Sequence, residues 1–407
     1  MTDKLPLDGV RVVEFSHMVM GPTCGLTLGD LGADVIKIEP VGTGDNTRRL
    51  PGAGAGFFIT FNRNKRSLAL DVNAQKGLDF AKRLIARADV LIENFRPGRM
   101  QEIGLGYDDL KAINPALIYC SLKGFLSGTY EHRPALDEVV QMMGGLAYMT
   151  GPPGRPLRVG APVNDMMGGM FAVIGILAAL HERSRTGAGQ HVKSALYENS
   201  AFLVSTSMAQ FAVTGKPAAP MPERISAWAV YDVFDTADAQ QIFVGVVTDT
   251  QWRAFCQVFH QPDLAADPEL ASNPMRVAAR PRLIPQLRTL FKTITRAQAI
   301  ERCEQAKLPY APIRRPDELF DDPQLNTPGG MVEVTMADGR RTRLPALPLQ
   351  FGDNRFGCRR DIPRLGEHSR EIACELGMDQ AVIDSLISNG VLGVETELDS
   401  AVSLGVD

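Results

Sequence analysis

Two aspartates stand just ahead of apolar, glycine-containing stretches, where a carboxylate could do covalent chemistry. Asp165 lies in Val163-Asn-Asp-Met-Met-Gly-Gly-Met170, and Asp137 in Ala135-Leu-Asp-Glu-Val-Val-Gln-Met-Met-Gly-Gly145. An aspartate at a helix start accepts free first-turn N–H groups, so each could simply be an N-cap. Glycines behind it also admit a close-approaching ligand, and the helix dipole favours the ionised form. With an unperturbed pKa of about 3.9, such a carboxylate can attack at neutral pH without a base, given a good leaving group such as a thiolate. Spacing alone leaves both readings open.

A second candidate group is basic. Arg48, Arg49, Arg63, Lys65 and Arg66 come early, followed by Arg96 and Arg99 in Asn94-Phe-Arg-Pro-Gly-Arg99. Several follow strand ends, where open α/β sheets bind ligands, so they read either as a solvated face or as a diphosphate and ribose-phosphate site. Other chemistries lack their signatures. There is no GxxxxGK[ST], no G-x-S-x-G, and no HExxH or HxxxH pairing among His17, His132, His181, His191, His260 and His368. Neither a P-loop, a usual serine hydrolase nor a zinc site is indicated, and no metal is expected.

These residues must be held by an alternating α/β framework. Val10–Phe15, Val35–Ile38, Arg66–Val72, Asp89–Glu93 and Leu117–Leu122 read as strands, with Gly21–Gly32 and Ala74–Ala88 as helices between them. Strands separated by helices imply a mostly parallel sheet covered on both faces. Gly21, Gly25, Gly29 and Gly32 are spaced 4, 4 and 3, a packing face rather than a G-x-G-x-x-G fingerprint. From Asp137 to Thr214 the pattern turns helical. Residues 1–214 then form a large Rossmann-like domain, and the proline-bearing segment 215–226 a linker. Residues 227–310 form a small α+β domain with strands at Ala229–Phe234 and Gln241–Val246. Residues 311–407 follow, with a hairpin at Met331–Thr335 and Thr342–Leu344 and two closing helices.

At 407 residues, 44% hydrophobic and 22% charged, the chain can bury an ample core, which excludes disorder and disulfide miniatures. A net charge of -4 argues against nucleic acid as partner. The closest of the six cysteines, Cys358 and Cys374, are too far apart for a CxxC motif, and isolated thiols suit a reducing compartment. No leader is visible. The uncharged run Met166–Leu180 is shorter than the roughly 20 residues that span a bilayer, so neither membrane nor export is expected and the default location is cytoplasmic.

Several blocks together resemble the family III CoA-transferases, the group of formyl-CoA transferase, carnitine CoA-transferase and succinyl-CoA:glutarate CoA-transferase. They include Leu7-Asp-Gly-Val-Arg-Val-Val-Glu-Phe15, Leu28-Gly-Asp-Leu-Gly-Ala-Asp-Val-Ile-Lys-Ile-Glu39, Asn62-Arg-Asn-Lys-Arg-Ser67 and Glu93-Asn-Phe-Arg-Pro-Gly98. Gly104-Leu-Gly-Tyr-Asp108, Thr186-Gly-Ala-Gly-Gln190 and Leu365-Gly-Glu-His368 follow in order, nearly end to end.

The resemblance implies that Asp165 is the catalytic nucleophile, with Asp137 supporting the site. It implies a Rossmann-like large domain built from both chain ends, a smaller domain, and two subunits interlocked as a homodimer. Coenzyme A or acyl-CoA would be substrate, with no permanently bound cofactor, and CoA would meet His17, Met18, Val19, Met20, Leu70, Asn73, Asn94 and Arg96. The sequence departs from the formyl-CoA enzymes at Pro40 and Glu102, where they carry arginine, and at Val19, where they carry glutamine. No glycine-rich lid occurs within residues 225–245. These departures point away from oxalate; the resemblance alone makes small dicarboxylates such as succinate, glutarate, itaconate, mesaconate or malate the first candidates. The alternatives are a 2-methylacyl-CoA racemase and a non-catalytic CoA-binding protein. The racemases carry a histidine where Leu136 stands, and leucine cannot carry a proton.

Overall fold

The computed structural model describes residues 4–224 and 226–395. Six strands, β1 (Arg11–Phe15), β2 (Asp34–Glu39), β3 (Lys65–Leu70), β4 (Val90–Glu93), β5 (Ile118–Lys123) and β6 (His191–Ala195), run parallel. The short strand Leu392–Gly393 adds to β3 antiparallel and completes a seven-stranded sheet. Across the sheet the order is Leu392–Gly393, β3, β2, β1, β4, β5, β6.

Side chains alternate across this sheet, and both faces are covered. Val13, Phe15, Ile36, Leu68 and Leu91 pack one way, under the helices Gln75–Ile85, Ser369–Glu375 and Gln380–Ser388. Val12, Val35, Val90 and Ile92 face the other way, towards the helices Met20–Asp30 and Val163–Thr186. A strand buried on both faces reads as a continuous apolar run, which is why β1, β2 and β4 are legible in the sequence. β6 is a correction to the all-helical reading of 137–214. It pairs only with β5, and its polar sequence HVKSA is that of an edge strand.

The chain divides into two compact units, Met1–Pro220 with Pro323–Asp407, and Met221–Asp322. It crosses at 220/221, inside the expected linker 215–226, and again at 322/323, past the expected boundary at 310. The later crossing has a cause. A strand absent from the sequence reading, β9 (Tyr310–Pro312), pairs with β8 (Gln241–Val246), which pairs with β7 (Val230–Asp235). Phe234, Phe255, Phe259 and Phe291 fill that unit's core.

The helix Val163–Thr186 is long and apolar enough to cross a membrane by length and composition, unlike the shorter uncharged run within it. Here its Asn164, Gly168, Gly169, Ala172, Val173, Ile176 and Ala179 are buried, and it packs on the Met20–Asp30 helix and on β5 and β6. It serves as a core helix of the larger unit.

Candidate active site

Strand order reverses between β1 and β4, and ligands of open α/β sheets bind beyond the carboxyl ends of the strands at such a point. The segments leaving those two ends are His17–Met20 and Asn94–Pro97. They line one cleft of about 520 Å³.

The His17–Met20 turn is braced from beneath. Met18 adopts φ 63, a left-handed conformation that costs a non-glycine residue on the order of 1 kcal/mol. Asn94 holds the turn from both sides, accepting from the His17 N–H at 3.0 Å and donating to the His17 carbonyl at 2.8 Å. Lys37 Nζ donates to the Ser16 carbonyl at 2.7 Å, and Lys65 Nζ to the Pro22 carbonyl at 3.0 Å. Both ammonium groups are fully buried and share Glu14, at 3.2 Å from Lys37 and 2.9 Å from Lys65. Burial alone would lower the Lys37 pKa, but Glu14, Asp45 and Glu39 outweigh it and hold the group above its ordinary value. For Lys65, burial wins and brings the ammonium down to about 8.

This network needs the glycine face of the Met20–Asp30 helix. A Cβ at Gly25 would fall 1.7 Å from Glu14 Oε2, one at Gly21 2.3 Å from Ser16 Cβ, and one at Gly29 3.1 Å from the Asn64 carbonyl oxygen. Those glycines let the helix lie on β1 and β3 and leave room for the buried ions. The phosphate-site reading of the early basic cluster is corrected at four positions. Arg48 pairs with Glu39, Arg63 with Asp30, Lys65 with Glu14, and Arg66 with Asp34 and Glu375. These cations pair with acids of the strands and of the helices packed on them.

Asp165 is the third residue of its helix, so it is not the cap; Pro162 precedes the helix and offers no side-chain bond. Asp137 supplies the cap from another helix, Asp137–Met143, where it is the first residue. Its Oδ2 accepts the N–H groups of Asn164 at 2.8 Å and Asp165 at 3.0 Å. Gln141 donates to the other oxygen, Oδ1, and itself accepts from the Val159 N–H at 2.8 Å. Two glycines then press the Asp165 helix onto the turn. A Cβ at Gly169 would lie 2.7 Å from the Met20 carbonyl oxygen, and one at Gly168 2.4 Å from Met20 Cε.

The Asp165 carboxylate itself accepts no hydrogen bond among the described residues. Burial, then the negative charges of Asp137 and Glu138, push its pKa up to about 7. The sequence reading expected an ordinary, ionised carboxylate. The helix end does favour charge, but burial beside two other acids opposes it more strongly.

The structure brings His17, Met18, Val19, Met20, Asn94 and Arg96 into the cleft with Asp137 and Asp165. Leu70 and Asn73 lie elsewhere, at the end of β3. Leu70 is buried in the core, and Asn73 is exposed, accepting from Arg99 Nη2 at 2.6 Å. Arg96 is already engaged, as both its terminal nitrogens bind Glu102, at 2.8 and 2.6 Å. The sequence reading missed Lys123, Arg133, Glu138 and Arg158, which also line the cleft. Proximity to Asp137 in the chain was the available signal for Arg133 and Glu138; Arg158 and Lys123 had none.

Comparison with known proteins places the chain in a family. Residues 7–369 match the signature described as CoA-transferase family III. Over 394 residues the chain is 31% identical to the succinyl-CoA:glutarate CoA-transferase of Mus musculus, covering 95% of this chain and 90% of that one. It is 32% identical over 390 residues to the succinyl-CoA:mesaconate CoA-transferase of Haloarcula marismortui, covering 92% and 97%. The crystal structure of a CAIB/BAIF family protein from Brucella suis superposes with TM-score 0.82 at 34% identity, covering 92% of this chain and all of that one. With the whole fold matched and the cleft built at the sheet's switch point, the chain is an enzyme that belongs to CoA-transferase family III.

Proposed function

We propose that this enzyme moves CoA from an acyl-CoA donor to a small dicarboxylic acid, with Asp165 as the covalent nucleophile. The observation that carries this is the Asp165 carboxylate, unbonded, half-buried and facing a cleft shared with the His17–Met20 turn. The Asp165 oxygen attacks the donor's thioester carbonyl, forming a mixed anhydride and releasing CoA thiolate. The thiolate attacks the aspartyl carbonyl, giving an aspartyl-CoA thioester and freeing the donor acid. The acceptor carboxylate then attacks that thioester and releases the thiolate again. Attack of the thiolate on the acceptor's acyl carbon yields the new acyl-CoA and restores Asp165. One thioester replaces another, so the reaction is near neutral in free energy and needs no nucleotide.

The N–H groups of Val19 and Met20, at the start of the Met20–Asp30 helix, donate to no acceptor among the described residues and are suited to steady the oxyanion. Dicarboxylates are the preferred acids because the glutarate and mesaconate enzymes named above are similar along nearly the whole chain. Acceptor screening with succinyl-CoA as donor tests the assignment; transfer to none of glutarate, mesaconate, itaconate or malate would contradict it.

Racemase chemistry has one supporting observation. His17 lines the cleft, and burial lowers its pKa, so it can hold a neutral imidazole. Its ring is stacked on Phe95 at 5.7 Å, and the position that carries the racemases' histidine is Leu136. Transfer of α-deuterium from D₂O into a 2-methylacyl-CoA would favour that alternative. A homodimer is part of the proposal, supported by the apolar surface described below.

A further inference from the structure

Four arginine and lysine side chains line the cleft, and carboxylates already hold three of them. Arg96 is bound by Glu102 through both terminal nitrogens, Lys123 by Glu93 at 2.7 Å, and Arg158 by Glu138 at 3.4 Å. His17 also lines the cleft, where burial lowers its pKa and favours the neutral imidazole. Arg133 is the exception among the described residues. Among the described residues no carboxylate pairs with it and its guanidinium donates no hydrogen bond.

The guanidinium is exposed and rests against aromatic rings instead. It lies over the Tyr130 ring at 5.1 Å from the centroid and beside Phe125 at 5.9 Å, and those two rings contact each other. The Arg133 N–H donates to the Tyr130 carbonyl at 2.9 Å, closing the turn that carries it. Aromatic faces hold an arginine without consuming its five N–H donors, so the fork stays available to a planar anion. Ala135 and Leu136 continue the same wall, and Asp137, which caps the Asp165 helix, follows them directly. The wall therefore offers a short apolar strip between a free guanidinium and the capped nucleophile helix. That is the pattern of an acid with a second carboxylate.

We propose that Arg133 is the specificity-determining residue that binds the remote carboxylate of a dicarboxylic acyl group while the other carboxyl group reacts at Asp165. This deepens the transferase assignment and rests on it. The chemistry recognised is a carboxylate on a short carbon chain; the rival anion in the same cleft is a phosphate of CoA itself.

The test compares wild type with Arg133→Met and Arg133→Lys. Steady-state kcat/KM is measured for succinate or glutarate against butyrate or valerate as acceptors, using acetyl-CoA as a donor without a second carboxylate. Affinity for free CoA is measured separately by calorimetry. Arg133→Met should lower kcat/KM for the dicarboxylate by about a hundredfold, the scale of a lost hydrogen-bonded charge pair. The monocarboxylate value and the CoA affinity should stay within about threefold of wild type, and Arg133→Lys should restore part of the loss. Equal losses for both acid classes, or weakened binding of free CoA, would overturn the proposal, the latter by assigning Arg133 to phosphate. If wild type transferred CoA to no acid at all, the transferase assignment would fail instead. The two failures are thus distinguishable.

Discussion

A nucleophilic carboxylate with a pKa of about 7 is only half ionised at neutral pH, and this sets the pH behaviour expected of Asp165. Reaction with donor requires the anion, so kcat/KM for acyl-CoA should rise with pH and level off above about 7. Replacing Asp137 by Asn removes a nearby negative charge and keeps an oxygen that can cap the Asp165 helix. The acid limb should then move to lower pH, with some loss of melting temperature because the new amide NH2 faces the Gln141 donor; a limb that stays put would show that Asp137 does not act on Asp165 electrostatically. Asp165→Ala should abolish transfer, a loss of more than about a thousandfold, while CoA binding persists. Asp165→Asn should stabilise the fold at pH 8. Since the native pKa is raised above the unfolded value, the native state holds an extra proton between roughly pH 4 and 7, and wild type loses stability as pH rises through that window. Thermal melts at pH 5 and pH 8 check the sign: the mutant's advantage should be larger at pH 8. At this scale the sequence showed which carboxylates stood near glycines but not what they touched. Asp137 caps a helix that begins well beyond it in the chain, a relation through space that no local pattern carries.

Among the elements, the glycines divide into those that meet movable side chains and those that meet backbone. Gly168 faces the tip of Met20 and the Asn199 amide, whereas Gly169 faces the Met20 carbonyl and the Cys24 N–H. Side-chain ends can rotate away; a helix backbone cannot. Gly169→Ala should therefore cost about 2–3 kcal/mol in urea unfolding and lower activity by separating the Asp165 helix from the His17–Met20 turn, while Gly168→Ala should cost less than about 1 kcal/mol. Equal costs would show that the two helices are not held at backbone contact. The apolar strands and the glycine helix were legible because their periodicity is local. β6 and β9 were not, since each is short and polar or proline-bearing and is defined only by its neighbour. The early arginines were legible as a cluster, yet two partners of Arg66, Glu371 and Glu375, come from the far end of the chain.

Over the whole molecule, the least explained feature of a single chain is its apolar surface. The helix Ser205–Thr214 has no buried residue, although it presents Met208, Phe211 and Val213, the last 85% exposed. Ile174 and Phe202, on the two preceding helices, are about as exposed as Met208. Patches of this kind mark interaction surfaces. A second copy of the chain is the expected partner, through an interface large enough that folded monomer does not accumulate. Sedimentation velocity at micromolar concentration should show a dimer, and a stable monomer would contradict it. The linker at 215–226 was read from its prolines and the returning chain end only from the family resemblance, whereas the helical stretch 137–214 gave no sign of which faces would remain uncovered.

The central claim is that Asp165 becomes covalently linked during turnover. The direct measurement is peptide mass spectrometry after incubating the enzyme with donor acyl-CoA alone and quenching with hydroxylamine or borohydride. We expect Asp165 to be recovered as its hydroxamate, or as the reduced alcohol, only when donor was present and not in its absence. Unmodified Asp165 under conditions where CoA transfer proceeds at full rate would contradict the claim.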